Sequence, residues 1–150
     1  MVLGVYSILL QILKDLTLEV GGLGSMSFLG GFYVYTGSAM GPGGISARIS
    51  RHLRSEKKVF WHIDYLMGNQ SVKVFALFRA ESKRKLECNV NKSIVLNLDA
   101  SIVSGFGSSD CLTACGGHLL FLGDTGFQVC LKGVGEAYLT SGLYPISTLV

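Results

Sequence analysis

The chain has 150 residues with a formal net charge of +3, and 49% of its residues are hydrophobic. This length indicates one domain that buries a core of its own. The mean hydropathy is high at +0.45, yet no uncharged apolar run reaches the roughly 20 residues that a membrane-spanning helix needs. The N-terminus also lacks the basic start of a signal peptide, so we expect an intracellular, cytoplasmic protein.

The positive charge is concentrated in the first part of the chain. Residues 1–92 carry twelve Lys and Arg against six Asp and Glu, whereas residues 93–150 carry one Lys against four acidic residues. Most of it lies in two clusters, RISRHLRSEKK at 48–58 and RAESKRK at 79–85. Such clusters are usually solvated surface, but two of them on one half of a chain also suit a polyanion such as nucleic acid.

The N-terminal segment is predicted to be β-structure. GVYSILLQI at 4–12 is rich in β-branched and aromatic residues and is typical of a strand, and GFYVYTG at 31–37 is a second such segment. Between them, LTLEV at 16–20 alternates and is followed by Gly21 and Gly22. This pattern predicts a hairpin inserted between the two strands.

A helix is predicted after the glycine-rich loop that follows the second strand. Apolar residues recur at every fourth position within 45–55, which is typical of a short amphipathic helix. Arg48 and His52 are also four residues apart and form a second stripe on this helix. Arg51 and Arg54 lie further round, toward solvent.

The middle of the chain is predicted to contain two strands and a helix. VFWHIDYLM at 59–67 is interpreted as extended, which would place His62 and Asp64 on one face of a strand. The segment at 71–80 alternates and is a second strand candidate, and 81–92 fits a helix.

The C-terminal part is predicted to extend the fold with further strands. HLLFL at 118–122 and FQVCL at 127–131 are the strand candidates. We expect one domain, with a core at about 4–100 and a C-terminal β extension at about 101–150. The predicted fold class is α+β, with a central mixed, largely antiparallel sheet flanked by helices.

Several short blocks, taken in order, resemble one known family. GVY at 4–6, YTG at 35–37 and RISRHLR at 48–54 are similar to the signature of GIY-YIG nucleases, and LEC at 86–88 resembles the segment with the metal-binding glutamate of that family. With WHIDYL at 61–66, GFGSSDC at 105–111 and HL at 118–119, the sequence resembles a mostly archaeal subfamily of GIY-YIG-like proteins. The resemblance covers nearly the whole chain, from about 4 to about 122.

This resemblance implies a site that hydrolyses phosphodiester bonds. Tyr6 would be the general base or a hydroxyl that orients the attacking water, assisted by Tyr35. Arg48 would hold the scissile phosphate, and Glu87 would bind one Mg²⁺ or Mn²⁺ ion. His52 would carry a proton or contact the phosphate.

Further residues are candidates for contacts with phosphate or nucleic acid. They are Gly37, Ser38, Arg51, Arg54, Lys57, Lys58 and His62. The implied function is a metal-dependent endonuclease acting on DNA, directed by DNA structure or damage, because the sequence shows no separate sequence-reading element. The alternative is a nucleic-acid-binding module with little or no activity on the same scaffold. Without the family, the same tyrosines would be core aromatics and the charged residues would be ordinary surface groups.

The chain has four cysteines, Cys88, Cys111, Cys115 and Cys130. Nothing in the sequence indicates a secreted protein, so we expect reduced thiols or metal ligands. The first three, with His118, would make a Cys₃His zinc site. Against zinc, the spacing lacks a Cys-x₂-Cys pair, and cysteine is often buried as a small hydrophobic residue. Asp110 is an alternative candidate for a second carboxylate of the site.

Overall fold

The computed structural model describes residues 1–107, 111 and 115–150 of the chain. Its strands are β1 (Gly4–Ile12), β2 (Leu16–Glu19), β3 (Ser25–Phe28), β4 (Gly31–Ala39), β5 (Val72–Glu81), β6 (Ser101–Ile102), β7 (Leu119–Gly123) and β8 (Ile146–Leu149). Its helices are α1 (Gly44–Leu53), α2 (His62–Met67), α3 (Glu87–Leu98) and α4 (Phe127–Thr140). Within these ranges, every helix is too short or too polar to cross a membrane.

One antiparallel sheet organises the fold. Its strand order in the described residues is β6-β7-β4-β1-β5-β8, so β1 lies at the centre, with Tyr6 opposite Gly37 on β4 and opposite Arg79 on β5. All residues of β1 except Gln11 are buried. A nearly continuous apolar sequence is what a central strand covered on both faces requires. The predicted α+β class, with a largely antiparallel sheet flanked by helices, is confirmed.

The inserted hairpin lies outside this sheet, whereas the C-terminal extension adds strands to it. The hairpin of β2 and β3 forms a separate two-stranded sheet, so β1 pairs directly with β4. From residue 101 onward, β6, β7 and β8 join the main sheet, and α4 lies between the last two in the sequence.

Helices cover both faces of the main sheet. Val5 and Leu9 of β1 point to the face covered by α3 and α4. Tyr6 and Ile8 point to the opposite face, which α1, α2 and the β2–β3 hairpin cover. Because successive side chains of a strand alternate between faces, this register directs Tyr6 toward α1.

The prediction of an extended segment at 59–67 is wrong for residues 62–67, which form α2. Asp64 accepts the backbone N–H groups of Phe60 and Trp61, each at 2.9 Å, at the start of this helix. A side chain that accepts these N–H groups satisfies donors that a helix start leaves without a partner. His62 and Asp64 therefore do not share a strand face.

The strand predicted at 127–131 is also wrong, because these residues begin α4. Cys130, Val134 and Tyr138 are buried at intervals of four, a helical period that a window of five residues is too short to reveal. The helix predicted at 81–92 is confirmed as α3 but begins later than position 81, because β5 includes that residue.

Candidate functional site

Two tyrosines from neighbouring strands reach the same cleft. Tyr6 of β1 and Tyr35 of β4 are both buried, and Tyr6 lies opposite Gly37, two residues beyond Tyr35. The cleft has a volume of about 240 Å³. Its lining includes Tyr6, Tyr35, Ser38, Arg48, Glu87 and His118. Of the residues predicted to be catalytic, His52 lies behind Tyr6 and the other four line this cleft.

Tyr6 is the first member of a buried row of polar side chains. Its hydroxyl oxygen lies 2.8 Å from Nε2 of His52, and Nδ1 of His52 lies 3.9 Å from Oδ1 of Asp64. His52 is fully buried, and Asp64 is 2% exposed. In this order, the imidazole can accept the proton of the hydroxyl while the carboxylate stabilises the imidazolium that forms.

Burial sets the resting protonation states of this row. Burial lowers the pKa of His52 to about 4, although the Asp64 carboxylate acts in the opposite direction, so the imidazole is neutral at pH 7. Burial raises the pKa of Tyr6 to about 12, partly offset by the nearby Arg48 guanidinium. Burial also raises the pKa of Tyr35. Since tyrosinate is not the resting form, Tyr6 can act as a base only by passing its own proton to His52.

Asp64 connects the two helices on this face. It accepts both arms of the Arg51 guanidinium, at 3.1 and 2.9 Å, in addition to the N–H groups of Phe60 and Trp61. Burial alone would raise the pKa of Asp64, but these donors hold it below its usual range. Asp64 is therefore a carboxylate at neutral pH, and it holds α1 against the start of α2.

Arg48 presents a guanidinium group to the cleft. Its Cζ atom lies 4.6 Å from the ring centroid of Trp61, and its Nη1 lies 3.5 Å from the carbonyl oxygen of Ser38. Among the described residues, the ion pairs with carboxylates involve Arg51 and His52 but not Arg48. The charge of Arg48 is therefore not neutralised by a described carboxylate, and a planar guanidinium suits a phosphate group.

Glu87 lines the cleft as the first residue of α3. The N-terminal end of a helix is a favourable position for a carboxylate because of the helix dipole. The Ser38 hydroxyl donates a hydrogen bond to this carboxylate. The exposed Lys85 also lines the cleft.

Gly37 provides space for Tyr6. A Cβ atom at this position would lie 2.6 Å from the Tyr6 hydroxyl oxygen. The resemblance implies that Gly37 lets a phosphate approach the backbone closely. The structure gives this glycine a second role, because a side chain here would displace the Tyr6 hydroxyl.

The basic residues that were predicted to contact nucleic acid differ in their surroundings. Arg51 is engaged by Asp64. Lys57 donates from Nζ to two backbone carbonyl groups at the C-terminal end of α1, at 2.8 and 2.6 Å, which is a favourable place for a cation. Arg54 and Lys58 are exposed and are accessible to a polyanion.

His62 supports the cleft indirectly. Its Nδ1 accepts the backbone N–H of Gly107 at 2.8 Å, and burial lowers its pKa. Gly107 lines the cleft with a φ of +72°, and a Cβ there would lie 2.8 Å from the Tyr35 ring. His62 therefore holds a glycine that packs against Tyr35.

Three cysteines and a histidine meet beside the cleft. The ligand atoms of Cys88, Cys111, Cys115 and His118 all lie within 4.8 Å of one another. Cys88 follows Glu87 in the first turn of α3, and His118 lines the cleft. The cluster therefore has the residue types and the proximity to hold a metal ion. Asp110, the other candidate near this segment, lies outside the described residues.

The structure also pairs Cys88 with Cys115 as a disulfide, a second state beside the expected thiols or metal ligands, for which the cluster has the residue types and proximity. Their Cα atoms are 5.9 Å apart, within the usual range for a disulfide. The Cys111 sulfur lies 3.3 Å from that of Cys88 and 3.8 Å from that of Cys115. Cys88 and Cys115 cannot be disulfide-bonded and thiolate ligands at the same time, so these are mutually exclusive states of one cluster.

Two contributors to this site, Trp61 and Lys85, were not identified as such from the sequence; both line the cleft. The sequence suggested Asp64 as a support of the site paired with His62, but in the structure it contacts Arg51 and His52 instead. The available signal was the position of Asp64, three residues after Trp61, because an acidic residue in a first turn marks a helix start.

A larger cavity, of about 700 Å³, lies between β5 and the segment before β8. Its charged lining residues are Arg79, Glu81 and Lys83, which are exposed. The smaller cleft brings together buried hydroxyl, imidazole and carboxylate groups with a guanidinium, and is therefore the candidate functional site.

The protein is thus an α+β domain with a buried row of tyrosine, histidine and aspartate beside a cleft. The sequence matches the family described as "Domain of unknown function DUF123" over residues 5–139, and the chain belongs to this family. No curated protein and no solved structure matches the chain.

Proposed function

We propose that this protein is a metal-dependent endonuclease that hydrolyses phosphodiester bonds in DNA, directed by DNA structure or damage. The observation that carries the proposal is the meeting of Tyr6, Tyr35, Arg48 and Glu87 in one cleft, with His52 behind Tyr6. These residues come from β1, β4, α1 and α3. They are also the residues to which the resemblance to GIY-YIG nucleases gives catalytic roles.

Arg48 would hold the phosphate that is cleaved. Its guanidinium reaches the cleft and lies over the Trp61 ring, a contact that fixes its direction without neutralising its charge. A planar guanidinium can bind two phosphate oxygens at once, which orients the phosphorus for attack.

The Tyr6 hydroxyl would accept a proton from the attacking water molecule. As it does so, it passes its own proton to Nε2 of His52, and the Asp64 carboxylate stabilises the imidazolium. The oxygen of Tyr6 is never left as a free anion, in agreement with its raised pKa. The leaving oxygen would take a proton from solvent, and the imidazolium would return its proton through Tyr6 to solvent, which restores the neutral row.

Glu87 would hold a single Mg²⁺ or Mn²⁺ ion. The donor set fits, because one carboxylate held in place by Ser38 is what Mg²⁺ commonly takes from a protein alongside water and substrate phosphate oxygens. When bound, such an ion neutralises charge that develops on the phosphate and the leaving oxygen.

Nucleic acid, and DNA in particular, is the proposed partner. Arg54 and Lys58 are exposed on the segment that leads from α1 toward the cleft residue Trp61. Exposed cations of this kind bind the phosphate backbone without regard to sequence. We accordingly propose an intracellular, cytoplasmic location.

The test is cleavage of labelled duplex, single-stranded, flap and four-way-junction DNA in Mg²⁺ or Mn²⁺. The site variants are Arg48→Ala and Glu87→Gln, and the matched controls are Lys132→Ala and Glu136→Gln, which change exposed residues of the same charge on α4. We expect one substrate to be cleaved by the wild type and both controls and by neither site variant.

The alternative is a nucleic-acid-binding module with little or no activity. It is favoured if the wild type binds DNA in a salt-sensitive manner but cleaves no substrate with any divalent ion. Cleavage by Arg48→Ala and Glu87→Gln at the wild-type rate would contradict the assignment of the cleft.

We further propose that the reduced cluster of Cys88, Cys111, Cys115 and His118 binds one Zn²⁺ ion with a structural role. Three sulfur ligands and one imidazole within 4.8 Å of one another match the Cys₃His ligand set of a closed structural site. Since Cys88 follows Glu87 directly, such an ion would fix the first turn of α3, where the candidate carboxylate lies.

Metal analysis of protein purified with a thiol reductant tests this site. We expect one zinc per chain and its loss in Cys111→Ser, whereas Cys130→Ser, which changes the buried cysteine outside the cluster, should retain it. Absence of zinc, with a linked Cys88–Cys115 peptide and a mass two hydrogens below that of the reduced chain in protein purified without reductant, would instead identify this disulfide as the native state.

A further inference from the structure

An exposed phenylalanine lies beside the cleft. Phe60 is 77% exposed, and its ring centroid lies 5.4 Å from that of Trp61. Trp61 lines the cleft and contacts the Arg48 guanidinium. Guanidinium, indole and phenyl groups therefore form a continuous row from the cleft to the surface.

The backbone that carries this row is held rigidly. The N–H groups of Phe60 and Trp61 both donate to the buried Asp64 carboxylate. Two residues earlier, the carbonyl oxygen of Lys58 accepts a hydrogen bond from Arg51 at 3.0 Å. The backbone on both sides of the exposed ring is thus held by the Arg51–Asp64 pair. Isolated exposed apolar residues are common, but this one is positioned in advance.

The charge around Phe60 indicates what covers the ring. Lys58 and Arg54 are exposed nearby in the sequence, and Arg48 lies at the inner end of the row. An apolar peptide or a membrane tail gains little from cations at both ends of an aromatic row. A nucleic acid strand presents phosphates and π-faces in alternation, which matches this arrangement.

We propose that the exposed Phe60 ring, which packs edge-to-face against Trp61 at an interplanar angle of 76°, stacks on an unpaired base of DNA next to the phosphate held by Arg48. This inference rests on the proposed function and specifies its substrate class. Bases in a regular duplex are already stacked on one another, so only a strand with unpaired or displaced bases offers a free π-face. The substrate is therefore DNA that is locally single-stranded beside the scissile phosphate.

The experiment measures binding without cleavage, in buffer with a chelator in place of divalent ions. The probes are a labelled single strand, a fully paired duplex of the same sequence, and that duplex with a central unpaired bubble. Affinity is followed by anisotropy of the labelled DNA. Stacking is followed by the fluorescence of Trp61, the only tryptophan in the chain.

The variants are Phe60→Ala, Phe60→Tyr and, as a matched control, Tyr144→Ala, which removes an aromatic ring that is 86% exposed at another edge of the molecule. We expect the single strand and the bubble to quench Trp61. Phe60→Ala should weaken binding of these two probes by about tenfold and leave the duplex affinity unchanged. Phe60→Tyr and Tyr144→Ala should behave as the wild type.

Equal affinity of Phe60→Ala and the wild type for all three probes would overturn this inference. The proposed endonuclease function would then still stand on the cleavage assay with Arg48→Ala and Glu87→Gln. Failure of the wild type to bind any of the DNA probes would overturn the proposed function and this inference together.

Discussion

The Tyr6 hydroxyl oxygen lies 2.8 Å from Nε2 of His52, and neither residue has exposed surface. The pKa of the imidazole is lowered and that of the phenol is raised, so this contact joins two groups that are neutral at pH 7. Nδ1, the other ring nitrogen of His52, faces Oδ1 of Asp64 at 3.9 Å. The two residues come from β1 and α1, and their contact depends on how that helix packs on the sheet.

Tyr6→Phe and His52→Gln should each lower the single-turnover rate of DNA cleavage by about 10²- to 10⁴-fold. Because the two groups move one proton between them, the double variant should be no slower than the slower single variant. Tyr33→Phe is the matched control, since the Tyr33 hydroxyl donates to the carbonyl of Leu29 at 2.7 Å. If the rate reduction of the double variant were instead the product of the two single reductions, Tyr6 and His52 would act independently.

The stability of the fold should fall as the pH drops from about 6.5 to about 4. His52 has a lowered pKa in the folded state, so in this window the unfolded chain binds a proton that the folded chain excludes. The loss amounts to about 3 kcal/mol when complete. Charged groups that act on His52 are Asp64, Arg48, Arg51 and Lys57.

Urea unfolding at a series of pH values checks this expectation, with wild type compared to His52→Gln. The variant should lose less stability across this window. The pKa of Asp64 is lowered, so the stability that this carboxylate contributes is lost only at pH values below the usual carboxylate range. Its effect is therefore separated in pH from that of His52. An NMR titration that places the His52 pKa at 6 or above would contradict the prediction.

The sequence predicted the parts of this arrangement that depend on local pattern. β1 and β4 were found because each is a continuous buried run, and α1 because its apolar residues recur with a helical period. Placing Tyr6 and Tyr35 in neighbouring strands required the resemblance to a known family, since the hairpin separates them in the sequence. In the structure, the two tyrosines lie on the paired strands β1 and β4.

What the sequence did not predict depends on contacts between distant segments. The run around Trp61 alternates like a strand, but Asp64 starts a helix there and at the same time binds Arg51 of α1. No spacing rule indicates that pair. The cysteine cluster was predicted as a set, whereas the disulfide between Cys88 and Cys115 follows from the approach of α3 to the segment before β7.

Asp64→Asn should destabilise the protein by about 3 kcal/mol, measured by urea unfolding at pH 7. An amide cannot balance the Arg51 charge, and its NH₂ group cannot accept the N–H donors that now share the carboxylate. Asp124→Asn, which changes an exposed residue, is the control and should alter stability by less than about 0.5 kcal/mol. Equal stability of the two variants would show that the pair contributes nothing.

Gly37→Ala should disable the site without a change of charge or hydrogen-bonding group. The added Cβ would lie 2.6 Å from the Tyr6 hydroxyl oxygen, so the buried ring must shift and its 2.8 Å contact with His52 is disturbed. We expect a destabilisation of about 1 to 3 kcal/mol and a loss of cleavage comparable to that of Tyr6→Phe.

Gly22→Ala is the matched control, because a Cβ at Gly22 would meet no atom within 4 Å. It should retain both stability and cleavage, measured by the same urea unfolding and single-turnover assays. If Gly37→Ala cleaved DNA at the wild-type rate, the Tyr6 hydroxyl would not need its present position against His52. The proton path from water through Tyr6 to the imidazole would then be wrong, even if Arg48 and Glu87 proved essential.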